Sequence, residues 1–114
     1  MKFINYLMGE AYVKAVNDII DDYDLKITKK LQNELKECSD PYEIENIFEV
    51  EFGFTMRYIS DFREYAEDFL SECFTIPDFL KNYIDYDSFA EDYKNDLTLY
   101  ELEDDDNEVI EILQ

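Results

Sequence analysis

The first third of the chain follows a helical period. From residue 3 to residue 23, apolar residues recur in adjacent pairs spaced four apart, which predicts one long amphipathic helix with a broad apolar stripe. A second helix is predicted over residues 25–38, where Leu31, Leu35 and Cys38 share a face. We therefore expect an N-terminal amphipathic helical hairpin, residues 1–38, followed by a second domain over residues 39–114.

The stretch "SDPYE" predicts the start of a helix. Asp40 has the side chain of an N-cap, Pro41 suits the first helical position, and Glu43 stands at the third. After Phe48 the pattern weakens. The stretch "VEFGFTMRYI" is β-branched and aromatic with a glycine inside it, which fits either a short strand or an irregular link.

Three more helices are predicted before residue 96. Ser60 is expected to cap a helix over residues 61–73, Pro77 to open a short one, and Asp85 to cap another that runs to Asn95. Their aromatic residues recur at helical spacing, so we expect them in the core. These residues are Phe62, Tyr65, Phe69, Phe79, Tyr83, Tyr86, Phe89 and Tyr93.

The C-terminal segment changes to a period of two. Apolar residues alternate along residues 97–102 and return at residues 109–113, with the charged stretch "EDDDNE" between the two runs. This pattern predicts a β-hairpin with a charged turn. The expected fold class is thus α+β, mainly helical with a small C-terminal antiparallel β-sheet.

The charge is distributed unevenly along the chain. Residues 1–36 hold six acids and six lysines, whereas residues 37–114 hold 24 acids and four bases and so carry the whole net charge of -20. Direct binding to nucleic acid or to an anionic membrane is disfavoured, because both need clustered lysine and arginine. A basic protein surface is the expected partner.

Several kinds of chemistry are disfavoured by residue type. The chain has no histidine and only two glycines, so histidine-based catalytic or metal sites and glycine-rich phosphate loops are excluded. No carboxylate pair stands out as catalytic, and we expect no enzymatic activity, no cofactor and no metal site. Whether the Asp104–Asp106 turn binds a cation weakly stays open.

The sequence also favours one compartment. No apolar run near the N-terminus has the pattern of a signal peptide, and no run is long enough to span a membrane. Cys38 and Cys73 are expected to be free, mostly buried thiols in a reducing environment. Together these features favour the cytoplasm.

Carboxylates form rows on the predicted outer faces of the later helices. Glu64, Asp68 and Glu72 are four apart, and Asp87 and Glu91 repeat that spacing. Like charges at this spacing repel by a few tenths of a kcal/mol per pair, and a helix with lysines between these acids would be more stable. A rigid surface with carboxylates in rows would imitate a phosphate backbone to a DNA-binding protein. The alternative is a solvated surface that only aids solubility.

The candidate partner-binding residues are the carboxylates of this segment. They are Glu64, Glu67, Asp68, Glu72, Asp85, Asp87, Glu91, Asp92, Asp96, Glu103, Asp104, Asp105, Asp106 and Glu108.

The segment "DFREYAEDFLSECFTIPDFLKNYIDYDSFAEDYKNDLTLYEL", residues 61–102, resembles the C-terminal part of ArdA-type antirestriction proteins. The resemblance lies in an acidic "YAEDFL" helix and an "IP…L.NYIDY..FA.D" core. The matching positions are Tyr65, Ala66, Glu67, Phe69, Leu70, Ile76, Pro77, Leu80, Asn82, Tyr83, Ile84, Asp85, Tyr86, Phe89, Ala90 and Asp92.

The resemblance implies a DNA mimic that is carried on mobile genetic elements or phage, acts in the cytoplasm of a bacterial host and is not an enzyme. Members of that family occupy the DNA-binding groove of type I restriction-modification enzymes, generally as elongated dimers. The family is usually longer than this chain, so a more compact groove, such as the DNA or PAM-reading channel of a Cas effector, is a second expected target.

Two functional hypotheses follow. The first is a DNA-mimicking inhibitor of a host defence nuclease, antirestriction or anti-CRISPR, which binds the basic DNA-binding cleft of that enzyme. The second is an acidic adaptor or antitoxin-like module that recognises its partner through the N-terminal helices, while the acidic surface is passive. A homodimer is left open by the sequence.

Overall fold

A computed structural model describes residues 9–102 and 105–113 and, of residues 105 and 106, the backbone alone. Within these described residues, six helices and three strands follow one another. They are α1 (Glu10–Asp22), α2 (Lys29–Glu37), α3 (Pro41–Phe52), β1 (Thr55–Ile59), α4 (Phe62–Cys73), α5 (Asp78–Lys81), α6 (Tyr86–Lys94), β2 (Thr98–Leu102) and β3 (Asp105–Leu113).

The three strands form one antiparallel sheet in the order β1-β3-β2. The C-terminal strand β3 is central and pairs along both of its edges, with Glu111 opposite Arg57 on β1 and opposite Leu99 on β2. The hairpin of β2 and β3 therefore supplies two of the three strands. The α+β prediction, mainly helical with a small antiparallel sheet near the C-terminus, is confirmed.

Helices cover both faces of this sheet. On one face, α1, α2 and α3 bury an apolar cluster with Met56, Ile110 and Ile112. On the other face, α4 and α6 bury a smaller cluster around Ile59 and Val109. Because α1 supplies much of the larger cluster, the first helices share one core with α3 and the sheet.

Side-chain caps fix where the helices begin. The Asp40 carboxylate accepts a hydrogen bond from the Glu43 backbone N–H at 3.0 Å, as predicted. The Asp85 carboxylate caps α6 in the same way through Ser88, also as predicted. The cap of α4 is Asp61 and not Ser60, because the Asp61 carboxylate accepts from the backbone N–H of Glu64, three residues on.

The ambiguous stretch after Phe48 contains both a helix end and a strand. Helix α3 continues to Phe52 and ends at Gly53, whose φ of 60° is left-handed. That conformation favours glycine, which has no Cβ to clash with the backbone. The chain then enters β1 at Thr55.

Three boundaries differ from the sequence prediction. The first helix was predicted to run from residue 3, but α1 begins at Glu10, since Gly9 with its φ of 86° is not helical; residues 1–8 lie outside the described residues. Helix α2 begins at Lys29, four residues later than predicted, because the Thr28 side chain caps it by accepting from the Leu31 N–H at 3.2 Å. Leu25 and Ile27 still pack on the larger cluster, but they do so from the irregular link before the helix. In the C-terminal hairpin, β3 already begins at Asp105, so part of the predicted charged turn is strand.

Part of the predicted aromatic core lies at the surface. Phe79 is 72% exposed and Tyr83 is 83% exposed. The physical reason is the length of α5, which has four residues and so offers no continuous apolar face, while α4 and α6 already cover that side of the sheet. Phe62 is fully buried, and Tyr65, Phe69, Tyr86, Phe89 and Tyr93 are partly buried.

The molecule is longer than it is wide. Its principal extents are 56 × 27 × 22 Å and its radius of gyration is 16.4 Å, against about 13 Å for a compact chain of this size. Among the helices of the described residues, none combines the length and the apolar character needed to cross a bilayer.

Candidate functional site

Helices α4 and α6 lie side by side over the sheet, and stacked aromatic rings join them. Phe69 of α4 lies 4.5 Å from Tyr93 of α6, ring centre to ring centre, with an angle of 15° between the ring planes. Phe89 continues the stack at 5.7 Å from Tyr93. Both helices pack against each other and on the same face of the sheet, so their exposed carboxylates belong to the same layer of the molecule. We call this the α4–α6 acidic surface; it comprises Glu64, Glu67, Asp68, Glu72, Asp85, Asp87, Glu91, Asp92 and Asp96.

The start of α4 is fixed from the sheet. The side-chain amide of Asn107 on β3 makes two contacts with the start of α4. Its Nδ2 donates to the Asp61 carboxylate at 2.7 Å, and its Oδ1 accepts from the Arg63 backbone N–H at 2.8 Å. These contacts, Asn107 first and the Glu64 N–H second, lower the pKa of Asp61 below its usual value. The strand thereby sets the position of the acidic helix.

The row on α4 is unneutralised. Glu64, Asp68 and Glu72 are all exposed and stand one helical turn apart. Within the described ranges, none of the three carboxylates has a lysine or arginine nitrogen within 4.0 Å. Glu67 lies beside the row and is half-buried. The row therefore keeps the mutual repulsion that the sequence predicts.

The row on α6 is partly neutralised, which sequence reasoning missed. Arg63 does not pair along its own helix; its Nε lies 2.9 Å from Asp87 across the seam. Lys94 lies 3.8 Å from Glu91 and 3.6 Å from Glu101, and its ammonium stands 5.6 Å from the centre of the Phe62 ring. Linear spacing gave no sign of the Arg63–Asp87 pair, because its members lie on different helices. Lys94 and Glu91, in contrast, are three residues apart on α6, a spacing that the sequence displays.

Three further carboxylates of the surface lie around α6. The Asp85 oxygens accept from the Ser88 backbone N–H at 3.0 Å and from the Ser88 hydroxyl at 2.8 Å, and these bonds lower the pKa of Asp85. Asp92 and Asp96 are exposed. Asp85 therefore holds the helix start as well as adding charge, while Asp92 and Asp96 present their carboxylates to solvent.

The remaining predicted residues do not join this surface. Glu108 is half-buried on the opposite face of the sheet, where its carboxylate accepts a 2.6 Å hydrogen bond from the Tyr58 hydroxyl. Glu103 and Asp104 lie outside the described residues, and so do the side chains of Asp105 and Asp106. Nine of the fourteen candidates thus lie together on α4, on α6 and at the two ends of α6.

One carboxylate that the sequence analysis overlooked is buried. Glu111 of β3 is 3% exposed and accepts a hydrogen bond from the Tyr65 hydroxyl at 3.0 Å. Arg57 donates to the same hydroxyl at 3.4 Å. Burial first and the Glu111 bond second raise the pKa of Tyr65. The signal was available, since "VIEIL" places one acid within a strand of otherwise apolar residues. Its contacts indicate that it holds α4 to the sheet.

A second acidic helix lies in the opposite layer. Helix α3 carries Glu43, Glu45, Glu49 and Glu51, which sequence reasoning did not select. Glu45 is only partly exposed, and burial raises the pKa of its carboxyl. Acids therefore occur on both sides of the sheet, but stacked neighbouring helices with paired acidic rows occur on the α4–α6 side.

The described side chains offer no metal centre: within residues 9–102 and 107–113, no group of three or more ligating residues comes together. The comparisons with known proteins are equally plain. No protein-family model, no curated protein and no solved structure matches this chain.

Proposed function

We propose that this protein is a DNA-mimicking inhibitor of a host defence nuclease and that it binds the basic DNA-binding cleft of that enzyme through the α4–α6 acidic surface. The observation that carries the proposal is the exposed, unneutralised row of Glu64, Asp68 and Glu72 on a helix whose position is fixed by the sheet. A type I restriction-modification enzyme and a Cas effector are the two targets we propose, antirestriction and anti-CRISPR respectively.

The density of charge supports the comparison with DNA. The 12 residues of α4 extend over about 18 Å, so carboxylates four residues apart recur every ~6 Å. Duplex DNA carries one charge per ~1.7 Å when both strands are counted. On the neighbouring α6, Asp87 and Glu91 add less charge, because Arg63 and Lys94 lie beside them. The surface is thus more weakly charged than DNA, and its regular unneutralised row is the one on α4.

Rigidity supports the proposal as well. A mimic must hold its charges in place without a partner, because ordering them on binding would subtract from affinity. Here the stacked rings of Phe69, Tyr93 and Phe89, the Arg63–Asp87 pair and the Asn107 bridge hold both helices before any partner arrives. The retained repulsion on α4 costs stability, which is consistent with selection for binding.

The adaptor hypothesis needs a free recognition face on α1 or α2. The apolar stripe of α1 is buried in the larger cluster, and its exposed side carries a Lys14–Asp18 pair at 3.5 Å. Deleting residues 1–36 would remove core residues such as Val16 and Leu35 and unfold the rest, so deletion does not separate the two hypotheses. Substitution of exposed residues does.

The test is competition with duplex DNA for a purified type I restriction enzyme and for a purified Cas effector, followed by fluorescence anisotropy of labelled DNA. We expect the triple variant Glu64→Lys, Asp68→Lys, Glu72→Lys to lose more than about 100-fold in inhibition of the enzyme that the wild type inhibits, because like charges opposed across an interface cost several kcal/mol.

A matched control variant makes the same change of net charge on the helices that cover the opposite face of the sheet. Glu37→Lys, Glu49→Lys, Glu51→Lys alters the net charge equally, on exposed positions of α2 and α3, and should stay within about threefold of wild type at moderate salt. Inhibition should also weaken steeply with added salt. Equal losses in the two triple variants, or an affinity that is flat in salt, would contradict the proposal.

A last variant addresses the adaptor hypothesis. Lys29→Glu, Lys30→Glu changes two exposed residues at the start of α2 without touching the core. A mimic keeps its inhibition in this variant, whereas an adaptor that binds through the N-terminal helices loses its partner.

A further inference from the structure

An apolar groove opens at one end of the α4–α6 acidic surface. It lies between the end of α4, the short α5 and the start of α6. Its lining includes Leu70, Phe74, Ile76, Leu80, Tyr83 and Phe89. Phe74 is 58% exposed, Leu80 is 42% exposed and Tyr83 is 83% exposed. So many large apolar side chains left in water on one patch are characteristic of an interaction site.

The charge around the groove favours a cationic partner over a second copy of this chain. Residues 64–93 hold nine acids and one base, Lys81. That lysine is already engaged, since its Nζ lies 3.1 Å from Asp78. A second copy of this chain would bring two such segments together, and like charges within a Debye length of about 8 Å repel. A cationic segment of another protein is instead attracted by these acids.

Proteins that bind DNA carry apolar as well as basic side chains in their clefts. Apolar groups contact thymine methyls, and aromatic side chains stack on bases, where each stacked base contributes about 1–3 kcal/mol. A mimic made only of carboxylates would replace the phosphates and leave those apolar side chains against charge. An apolar groove next to the acidic rows gives them a place to be buried.

We propose that this groove receives a large apolar side chain from a lysine- and arginine-rich segment of the protein partner, while the α4–α6 carboxylates pair with the flanking cations. This inference deepens the proposed function and rests on it for the identity of the partner as a DNA-binding cleft. Burial of an apolar side chain in the groove can be tested with any cationic segment, whatever the natural partner is.

The test uses two synthetic helical peptides of identical charge, rich in lysine and alanine. One carries a single tryptophan at its centre, and the other carries alanine there. Binding to the full chain is measured by fluorescence anisotropy at several salt concentrations. We expect the tryptophan peptide to bind about tenfold more tightly, since burial of one large apolar side chain suffices for that gain. The gain should persist at high salt, where the charge contribution fades.

Exposed positions allow a matched pair of variants. Leu80→Ser, Tyr83→Ser alters the groove, whereas Val50→Ser, Tyr42→Ser removes an exposed aliphatic and aromatic pair from α3, where Tyr42 is 77% and Val50 is 73% exposed. The groove variant should lose the tenfold gain and bind the alanine peptide as wild type does. The α3 variant should keep the gain. Circular dichroism checks that both variants retain the fold.

The outcomes separate this inference from the proposed function. If tryptophan adds nothing, or if both variants lose the gain equally, the groove proposal is overturned even when competition with DNA succeeds. If the gain is present and lost only in the groove variant, the groove proposal holds even when no nuclease is inhibited. Sedimentation velocity tests whether a second copy of the chain occupies the groove. A dimer that dissociates in the variant Leu80→Ser, Tyr83→Ser would overturn the proposal of a cationic partner in favour of a second copy.

Discussion

The Tyr65 hydroxyl of α4 donates a 3.0 Å hydrogen bond to the Glu111 carboxylate at the centre of the sheet. Glu111 is 3% exposed, and an acid so deeply buried is costly unless its oxygens have partners. Arg57, opposite Glu111 in the register, donates to the same hydroxyl at 3.4 Å. This contact joins the acidic helix to the strand beneath it and so contributes to the fixed position of the α4 carboxylates.

Tyr65→Phe should lower the free energy of unfolding by about 1–3 kcal/mol, because it leaves a buried acceptor without its donor. Urea unfolding followed by circular dichroism measures the change. Tyr83→Phe removes a hydroxyl from an 83% exposed ring and should change the free energy by less than about 0.5 kcal/mol. Equal effects in the two variants would show that the Tyr65–Glu111 bond contributes nothing to stability.

Asp68→Lys should stabilise the protein and weaken its inhibition of the target. The new lysine stands four residues after Glu64 and four before Glu72, so two repulsive pairs become attractive, each changing by a few tenths of a kcal/mol. Lysine is also the better helix former. We expect a gain of about 0.5–1 kcal/mol in urea unfolding. The same variant should inhibit the target less, and a variant that gained on both counts would contradict a binding role for the row.

The stability of α4 should depend on pH through Asp61. Hydrogen bonds from Asn107 and from the Glu64 N–H hold the pKa of Asp61 below its usual value in the folded state. A lowered folded-state pKa means that the carboxylate contributes stability above its unfolded pKa of about 3.9, and that this contribution is lost as the pH falls through the lower folded value. Asp61→Asn keeps a capping oxygen and removes the charge.

The measurement is the difference in urea midpoint between wild type and Asp61→Asn from pH 6 to pH 2. We expect the wild type to be the more stable protein at pH 6 and the difference to disappear toward pH 2. Glu72→Gln controls for the general effect of removing one negative charge from the same helix, since it has no such donors within the described residues. A difference that stays constant across this pH range would refute the assignment.

The two cysteines should react at very different rates. Cys38 is 2% exposed, its thiol donates to the Glu34 carbonyl at 3.4 Å, and burial together with neighbouring carboxylates raises its pKa to about 11. Cys73 is exposed at the end of α4, so the expectation of buried thiols is correct for Cys38 and wrong for Cys73. Titration of the native protein at pH 8 with a thiol reagent should therefore release one equivalent quickly and the second only on unfolding. Cys73→Ser should abolish the fast equivalent; a fast reaction that survived this change would show that Cys38 is accessible.

Local signals predicted the elements well where they were strong. The Asp40–Pro41 start of α3 and the Asp85 start of α6 each depend on a side chain three residues from the N–H it caps, and that information is contained in a few adjacent positions. The hairpin followed from the change to a period of two. The cap of α4 was placed one residue early, because Ser60 and Asp61 are both good capping residues and only the backbone conformation chooses between them.

The composition and order of residues by themselves determined the α+β class, the helix starts, the hairpin and the concentration of acids after residue 36. These depend on local periodicity and on side-chain type, which act over a few residues. The tertiary structure alone decided which carboxylates are neutralised, through Arg63 across the helix seam and Lys94 near Glu101, and which ring residues stay exposed. It also buried Glu111 and separated Glu108 from the α4–α6 acidic surface. Those outcomes depend on which distant segments pack together, and pairing across the sheet is fixed by the whole core and not by the spacing of residues along one element.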